Sequence, residues 1–282
     1  MKRKILFIII FNTFYFQTFF GQSITEIKSF ADTQNDTGNY RLALKEYQRV
    51  YLFDKNHQFN DIFIKIADLF YQKKEYFKSV KYYNLAWGSE KNDSIKNEIV
   101  FRKALCFLNN KDYYGALNEL YDLNVGDSEY FTKKEILFEA ICQYGLEKYD
   151  NAANLFLKLV DESGRKELID AFTDFKRRNK KYSPNRIETM SRFLPGLGQI
   201  YLGKWKNGIN SFVLIAAVIY YSVYTAVTYT FLDGALVLSS WFNRYYSGGY
   251  GKARELANEK LKKDKSIFYT KLLTIIEKHV RK

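Results

Sequence analysis

A pattern that recurs every 36 or 37 residues constrains the fold of this 282-residue chain more than any other feature of its sequence. Its four copies begin with the tyrosines Tyr40, Tyr76, Tyr113 and Tyr149. In each copy a small residue follows three positions later, a large residue four after that, and an apolar residue three further on. These spacings place the side chains on one face of a helix. An alanine nine residues before each tyrosine predicts a second helix in every copy. These alanines are Ala31, Ala67, Ala104 and Ala140.

The pattern resembles the tetratricopeptide repeat (TPR), a helix–turn–helix of about 34 residues with small residues where its helices cross. The four copies span residues 23–160, run two or three residues longer than that repeat and lack its usual proline. The turn positions are occupied by Gly38, Lys74, Lys111 and Glu147. The resemblance implies an all-α fold that begins with an α-solenoid, because stacked helix pairs bury faces that a single pair cannot.

Solenoids of this kind present a groove lined by the first helix of each repeat, and such grooves bind peptides or protein surfaces. The repeats are therefore interpreted as a protein-interaction module, with a rigid spacer as the alternative. Candidate partner-binding residues are polar positions on the first helices, namely Lys65, Asp68, Arg102, Lys103 and Glu139.

Nothing in the sequence points to an enzyme, a cofactor or a metal site. We find no nucleophile–base pair, carboxylate pair, phosphate loop or metal-ligand spacing. His57 and His279 are far apart and have no partners in the pattern. Cys106 and Cys142 occupy equivalent repeat positions, and we predict small core residues there rather than a disulfide.

The N-terminus predicts export or anchoring. Residues 1–22 combine a basic start with an apolar run of about 16 residues, which is typical of a secretory signal peptide. An uncleaved anchor is the competing interpretation, since the run is only slightly shorter than a membrane span. Either interpretation sends the following residues across the inner membrane.

Two apolar stretches, 207–224 and 231–250, predict a transmembrane helical hairpin, because each could cross a bilayer at about 1.5 Å per residue. Trp205, Trp241, Tyr245 and Tyr246 are expected at its interfaces. The preceding segment PGLGQIYLGKWKNG resembles the entry to a small bacterial two-span module with the pattern Pro-Gly-x-Gly-Gln-x-Tyr-x-Gly, similar to the TM2-type hairpin. That family is defined by topology, so the resemblance implies no activity.

Residues 193–251 form this predicted membrane module. Its glycines are expected to pack the helices together or to frame a small polar site around Gln199, Asn243 and Arg244. The motif residues are Pro195, Gly196, Gly198, Gln199, Tyr201, Gly203, Gly208, Asn243, Arg244, Gly248 and Gly249.

The module lies between two further predicted segments. Residues 161–192 are a helix that caps the repeats through Leu168, Ile169, Phe172 and Phe175, followed by a basic linker. Residues 252–282 are a basic amphipathic helix, expected on the bilayer surface, with docking on the repeats as the alternative.

The charge distribution favours a membrane over nucleic acid as the partner. The chain carries a net charge of +13, yet residues 23–160 have 19 basic and 20 acidic side chains. The excess stands beside the apolar stretches, with 11 basic against 6 acidic residues in 161–206 and 10 against 4 in 251–282. Basic residues in such places attract anionic lipids.

The topology signals conflict, because the positive-inside rule prefers both basic flanks in the cytoplasm. We give more weight to the N-terminal signal and predict an inner-membrane protein with periplasmic repeats; cytoplasmic repeats are the alternative. The composition is typical of an AT-rich bacterial genome. The predicted function is a cell-envelope, membrane-tethered scaffold that binds a protein partner. The alternative is a membrane-active module whose hairpin forms homo-oligomers or handles lipid, with the repeats as regulator.

Overall fold

The computed structural model describes residues 22–56 and 58–279, and every regular element within them is a helix. The all-α prediction is therefore confirmed for this part of the chain. The predicted signal or anchor lies outside the described residues except for Gln22, and His57 is also outside them. The chain divides into two compact units, Met1–Ala152 and Ala153–Lys282.

The first unit is a series of helix pairs. Its helices are α1 (Ile24–Asp36), α2 (Tyr40–Phe53), α3 (Asp61–Gln72), α4 (Tyr76–Ser89), α5 (Asp93–Asn109), α6 (Tyr113–Leu120), α7 (Glu129–Gly145) and the start of α8 (Tyr149–Leu159). α1 packs on α2, α3 on α4 and α5 on α6. The small residues predicted at the helix crossings are all fully buried: Ala31, Ala67, Ala104, Ala140, Ala43, Ser79, Ala116 and Ala152. The repeating arrangement of helix pairs is thus confirmed.

The turn inside each pair has the same backbone geometry. The residue two places after the first helix has a positive φ in every copy: Gly38 (81°), Lys74 (60°), Lys111 (60°) and Glu147 (62°). At Lys74 the amide donates to the carbonyl of Tyr71, and the next amide donates to that of Phe70, at 2.8 and 2.9 Å. This is the Schellman ending, which satisfies carbonyls that the helix leaves unpaired.

The second unit is built around one continuous helical run from Phe231 to His279. The run consists of α13 (Phe231–Val237), a π-helical turn (Leu238–Phe242) and α14 (Asn243–His279). At about 1.5 Å per residue it is roughly 70 Å long. The other complete helices are α9 (Glu162–Lys181), α10 (Pro184–Phe193), α11 (Leu197–Tyr201) and α12 (Trp205–Thr228).

α9, α10 and α12 pack along this run in the opposite direction. The pairings are Phe172 with Phe268, Ile187 with Ala253, and Ser222 with Gly234. Residue numbers on the run fall as those of its partners rise, so each contact is antiparallel. The long run therefore connects α12, which is apolar, to α9, which is highly charged.

The C-terminal part of α14 corrects one prediction. Its apolar face is buried within the second unit, through Phe268, Leu272, Ile275 and Ile276. The Phe268 ring stacks on Phe175 at 4.2 Å between centroids, so this part of the face packs on α9, whereas Ile267 and Leu273 are 55% and 37% exposed. In α9, Leu168, Phe172 and Phe175 are buried as expected, whereas Ile169 is 52% exposed.

In the described part of the chain, α12 is the one helix long and apolar enough to cross a membrane, and 17% of its most apolar window is buried. The second predicted span is helical and lies antiparallel to α12. A Cβ atom at Gly234 would approach Ala226 Cβ to 2.5 Å, so the two helices are in close contact. The apolar part of this second arm ends at Phe242, about 18 Å from its start and short of a bilayer core of about 30 Å.

Candidate functional site

Ion pairs connect the first helices of successive repeats and form what we call the charge ladder. Each pair has its ammonium or guanidinium nitrogen 2.6 Å from a carboxylate oxygen of the neighbouring first helix. The pairs are Lys65 with Asp32, Arg102 with Asp68, and Lys134 with Glu98. Three of the predicted groove residues, Lys65, Asp68 and Arg102, therefore have their charges matched by other residues of the first unit.

Two steps of the charge ladder also contain a tyrosine from a second helix. The Tyr47 hydroxyl donates to Asp32 at 2.6 Å, and the Tyr83 hydroxyl donates to Asp68. Burial raises the pKa of both tyrosines, and the adjacent carboxylates raise it further. Burial alone would raise the pKa of Asp32, but hydrogen bonds from Lys65 and Tyr47 outweigh it and lower that pKa.

These triads were not predicted from the sequence, although a signal for them exists. The Asp, Tyr and Lys/Arg positions of these two triads become apolar together at the equivalent positions of the next repeat, where the charge ladder uses Lys134 and Glu98 instead. The triads are Asp32, Tyr47 and Lys65, then Asp68, Tyr83 and Arg102, and their counterparts in the next repeat are Leu105, Leu120 and Phe138. Removing all the polar partners at once leaves none of them buried without a hydrogen bond.

The other two predicted groove residues differ in environment. Lys103 is 4% exposed, and its ammonium pairs with Glu119 and lies 3.7 Å from Asp122, so it is a structural residue that a partner cannot reach. Glu139 is half-buried and has no ion pair among the described residues. Burial raises the pKa of Glu135, and the charge of Glu139 adds to that effect.

The Pro-Gly motif of the second unit forms the connections on both sides of α11. Gly196 has φ 90° and ψ −15°, and the Leu197 amide donates to the Leu194 carbonyl at 3.0 Å. This is a type II turn with Pro195 and Gly196 at its centre. Gly203, with φ 81°, ends α11 in another Schellman arrangement.

The remaining motif residues allow close packing around α11. A Cβ atom at Gly198 would lie 2.3 Å from the Ile187 carbonyl oxygen, and one at Gly208 would lie 2.7 Å from that of Gly196. The Tyr201 ring lies beside Tyr182, with 6.2 Å between centroids. These positions therefore have a structural role in the described fold.

Gln199 joins three helices at the base of the hairpin. It is 1% exposed, accepts a hydrogen bond from the Ser191 hydroxyl and donates one to the Gly249 carbonyl, both at 2.8 Å. Ser191 Oγ in turn accepts from the Gly198 amide at 2.9 Å. The amide of Gln199 thus holds α14 against α10 and α11.

A cleft of about 390 Å³ lies beside Gln199, between α12 and α14, and most of the residues that line it are polar or charged. Four predicted motif residues line it, namely Gln199, Arg244, Gly248 and Gly249, whereas Asn243 does not. The other lining residues are Lys206, Asn207, Asn210, Ser211, Leu214, Tyr245 and Lys252. A cleft therefore lies beside Gln199 and Arg244, and Lys206, Asn207 and Asn210 of α12 are lining residues that were not foreseen.

Next to the cleft, an ion-pair cluster joins α10 to α14. Glu188 is 8% exposed and accepts from Arg192 at 2.6 Å and from Arg254 at 2.8 Å. Burial alone would raise the pKa of Glu188, but these two arginines outweigh it and lower that pKa. The Tyr246 hydroxyl donates to the Arg192 carbonyl at 2.6 Å, so the connection extends to the hairpin.

The histidine and cysteine predictions have different outcomes. His279 was expected to be isolated, but it is 9% exposed and its ring nitrogens lie 3.1 Å from Glu167 and 3.3 Å from Asp161. Antiparallel packing of α14 on α9 brings these distant residues together. Cys106 and Cys142 are buried free thiols, as predicted.

Among the residues that the structure describes, no group of three or more His, Cys, Asp or Glu side chains could hold a metal ion. No protein-family model matches this chain, and no curated protein is significantly similar to it.

Proposed function

We propose that this chain is a membrane-tethered scaffold of the cell envelope. In this proposal α12 and the following arm anchor it in the inner membrane, and TPR-like repeats bind a protein partner. The observation that carries the proposal is the exposed apolar surface of α12 and α13. Among the described helices, α12 alone is long and apolar enough to cross a membrane.

The apolar exposure continues around the hairpin. Residues at least 44% exposed include Ile209, Phe212, Val213, Ile219, Val223, Val227, Phe231, Leu232 and Leu236. Soluble monomers rarely expose a contiguous apolar surface of this kind. α12 has 24 residues, or about 36 Å, which is enough for a bilayer core of about 30 Å.

Polar groups stand at the two ends of the hairpin, as membrane insertion requires. Lys204, Lys206 and Lys252 are at its base, where α12 begins and α14 leaves it. At its tip, the Thr230 hydroxyl donates to the Asp233 carboxylate at 2.6 Å. Asp233 is the one acidic residue between 207 and 250, and its place at the tip keeps it near water.

The partner face is proposed on the first helices, where the charge ladder leaves few free groups. A partner would therefore contact side chains such as Leu105, which is 37% exposed, and Glu139, rather than the paired Lys65, Asp68 and Arg102. A rigid spacer would use the same charge ladder and need no such contacts.

One photo-crosslinking experiment tests both halves of the proposal. A photoreactive amino acid replaces Val223, Leu105 or Tyr121 in the full chain in cells. Val223 is 58% exposed on α12, and Tyr121, 87% exposed after α6, is the control. We expect lipid adducts at position 223, a discrete protein adduct at 105 and neither at 121.

The possible outcomes test the membrane anchor and the partner face of the repeats separately. Absence of lipid adducts at position 223 would contradict the membrane anchor. The same protein adducts at 105 and 121 would contradict the partner face and favour the spacer. The second candidate function, a lipid-handling module, is favoured by the cleft at the hairpin base.

A further inference from the structure

We propose that the cleft between α12 and α14 binds the phosphate-containing headgroup of an anionic phospholipid. The proposal rests on membrane insertion of the hairpin and adds to it a defined ligand site.

The charges of the cleft select an anion. Lys206, Arg244 and Lys252 line it, and no acidic side chain does. Lys252 also pairs with Glu255 at 2.9 Å, but Arg244 has no carboxylate partner among the described residues. A guanidinium presents a planar fork of donors that matches a phosphate group.

Uncharged donors are available beside these cations. The Ser211 hydroxyl oxygen is buried and has no hydrogen-bond partner in the described part of the chain. Asn207 and Asn210 add side-chain amides on the same helix. The Gln199 amide is already used by Ser191 and Gly249, so it fixes the wall of the cleft and leaves the ligand to the other groups.

The position of the cleft favours a lipid over a soluble phosphate compound. Its cationic residues Lys206 and Lys252 lie at the base of the hairpin, whereas Leu214 and Tyr245 extend its lining along the apolar helices. An amphiphile with an anionic head and an apolar body has the same order of groups. A charged arginine beside hydrocarbon is costly unless it is paired, and a lipid phosphate would pair with Arg244.

Gly248 provides a test that leaves the charges unchanged. A Cβ atom at this position would meet no atom within 4 Å, and the residue lines the cleft. The Cβ atom of Gly248→Leu should therefore enter open space, and the rest of the side chain is expected to occupy the cleft. Gly251→Leu is the matched control, because its Cβ atom also meets open space and the residue lies outside the cleft lining.

The charge test uses matched triple variants of the full chain. The cleft variant carries Lys206→Gln, Arg244→Gln and Lys252→Gln. The control carries Lys262→Gln, Lys263→Gln and Lys271→Gln, which lie further along α14 and outside the cleft lining. Native mass spectrometry of the detergent-solubilised chain measures retention of phosphatidylglycerol and of phosphatidylcholine with identical acyl chains.

We expect preferential retention of phosphatidylglycerol. Its affinity should fall about fivefold for each cation removed, from roughly 1 kcal/mol per basic residue, and by about a hundredfold in the triple cleft variant. Gly248→Leu should lower affinity at least tenfold, while both controls retain the lipid. Equal losses in cleft and control variants would overturn the proposal in favour of general surface charge.

Competition with free glycerol phosphate tests whether the ligand is a soluble phosphate compound and not a lipid. If glycerol phosphate displaces the lipid at millimolar concentration and binds with equal affinity, the ligand is a soluble phosphate and the lipid assignment is wrong. If the cleft variants and the controls retain lipid equally but lipid adducts still form at position 223, only the headgroup site is rejected. Loss of the adducts as well would reject the membrane anchor on which it rests.

Discussion

At the scale of single residues, the repeat turns carry a measurable strain. Three of the four turn residues are not glycine although all four have φ between 60° and 81°. A side chain in this left-handed region costs roughly 1–2 kcal/mol. The repeat spacing identified these turn positions correctly. The charged residues at three of them gave no indication of a left-handed backbone conformation.

Lys111→Gly is therefore expected to stabilise the first unit by about 1 kcal/mol, since glycine removes the left-handed strain. The measurement is urea unfolding of the full chain in detergent, followed by the fluorescence of Trp87 after Trp205 and Trp241 are replaced by Phe. Asn110→Gly is the matched control, because Asn110 precedes it with φ −83° and gains nothing from glycine. A Lys111→Gly chain no more stable than the Asn110→Gly chain would contradict the strain.

At the scale of helices, the residue periodicity predicted the helices and turns of the repeats. It did not predict contacts between helices that are distant in the sequence. The repeat helices, their buried alanines and the turn positions follow from spacings of a few residues. The pairing of Phe268 with α9 joins segments almost 100 residues apart, and no local pattern specifies it. An apolar face bordered by lysines is compatible with a bilayer or with a protein surface, and the aromatic stripe of α9 decides between them.

The candidate sites also include residues that local sequence patterns predicted and residues that they did not. The two glycine clusters were expected on the same membrane face, where they would either pack together or frame a polar site that includes Gln199 and Arg244. The charge ladder was missed, because a charged helix face was read one repeat at a time. Comparing Asp68, Tyr83 and Arg102 with their counterparts in the next repeat would have revealed a coupled set.

The charge ladder gives the repeats a predictable response to alkaline pH. The pKa of Tyr83 is raised in the fold, so its contribution to stability is complete below the unfolded value near 10 and is lost as pH rises above it. Tyr83→Phe should cost about 1 kcal/mol at pH 8. Above pH 10 the free energy of unfolding should fall less steeply in Tyr83→Phe than in the unmodified chain, by about 1.4 kcal/mol per pH unit.

The measurement compares unfolding free energies at pH 8 and pH 11 with the same Trp87 signal. Tyr121→Phe is the control, because Tyr121 is 87% exposed and its replacement should change neither value. An unchanged difference between the two pH values in Tyr83→Phe would show that burial and the Asp68 contact do not hold the phenol in its protonated form.

At the scale of the whole molecule, the antiparallel hairpin brings both of its basic flanks to the same end. The chain enters α12 beside Lys204 and leaves the cleft beside Lys252, so a bilayer crossed by the hairpin has both flanks on one side. The repeats precede the first flank without another described apolar helix, and we expect them on that side too. The signal predicted at the N-terminus would favour the periplasm, whereas the positive-inside rule favours the cytoplasm.

A single cysteine at Lys91 decides between these two orientations, because Lys91 is exposed at the end of the second repeat. The two native thiols give little background: burial raises the pKa of Cys142 to about 12 and also raises that of Cys106, and thiols react as thiolates. Replacing both native cysteines by alanine removes the remaining background labelling. With the outer membrane permeabilised and the inner membrane intact, we expect an impermeant maleimide to label Lys91→Cys, as the N-terminal signal predicts. Labelling only after lysis would place the repeats in the cytoplasm, with the basic flanks as the dominant topology signal.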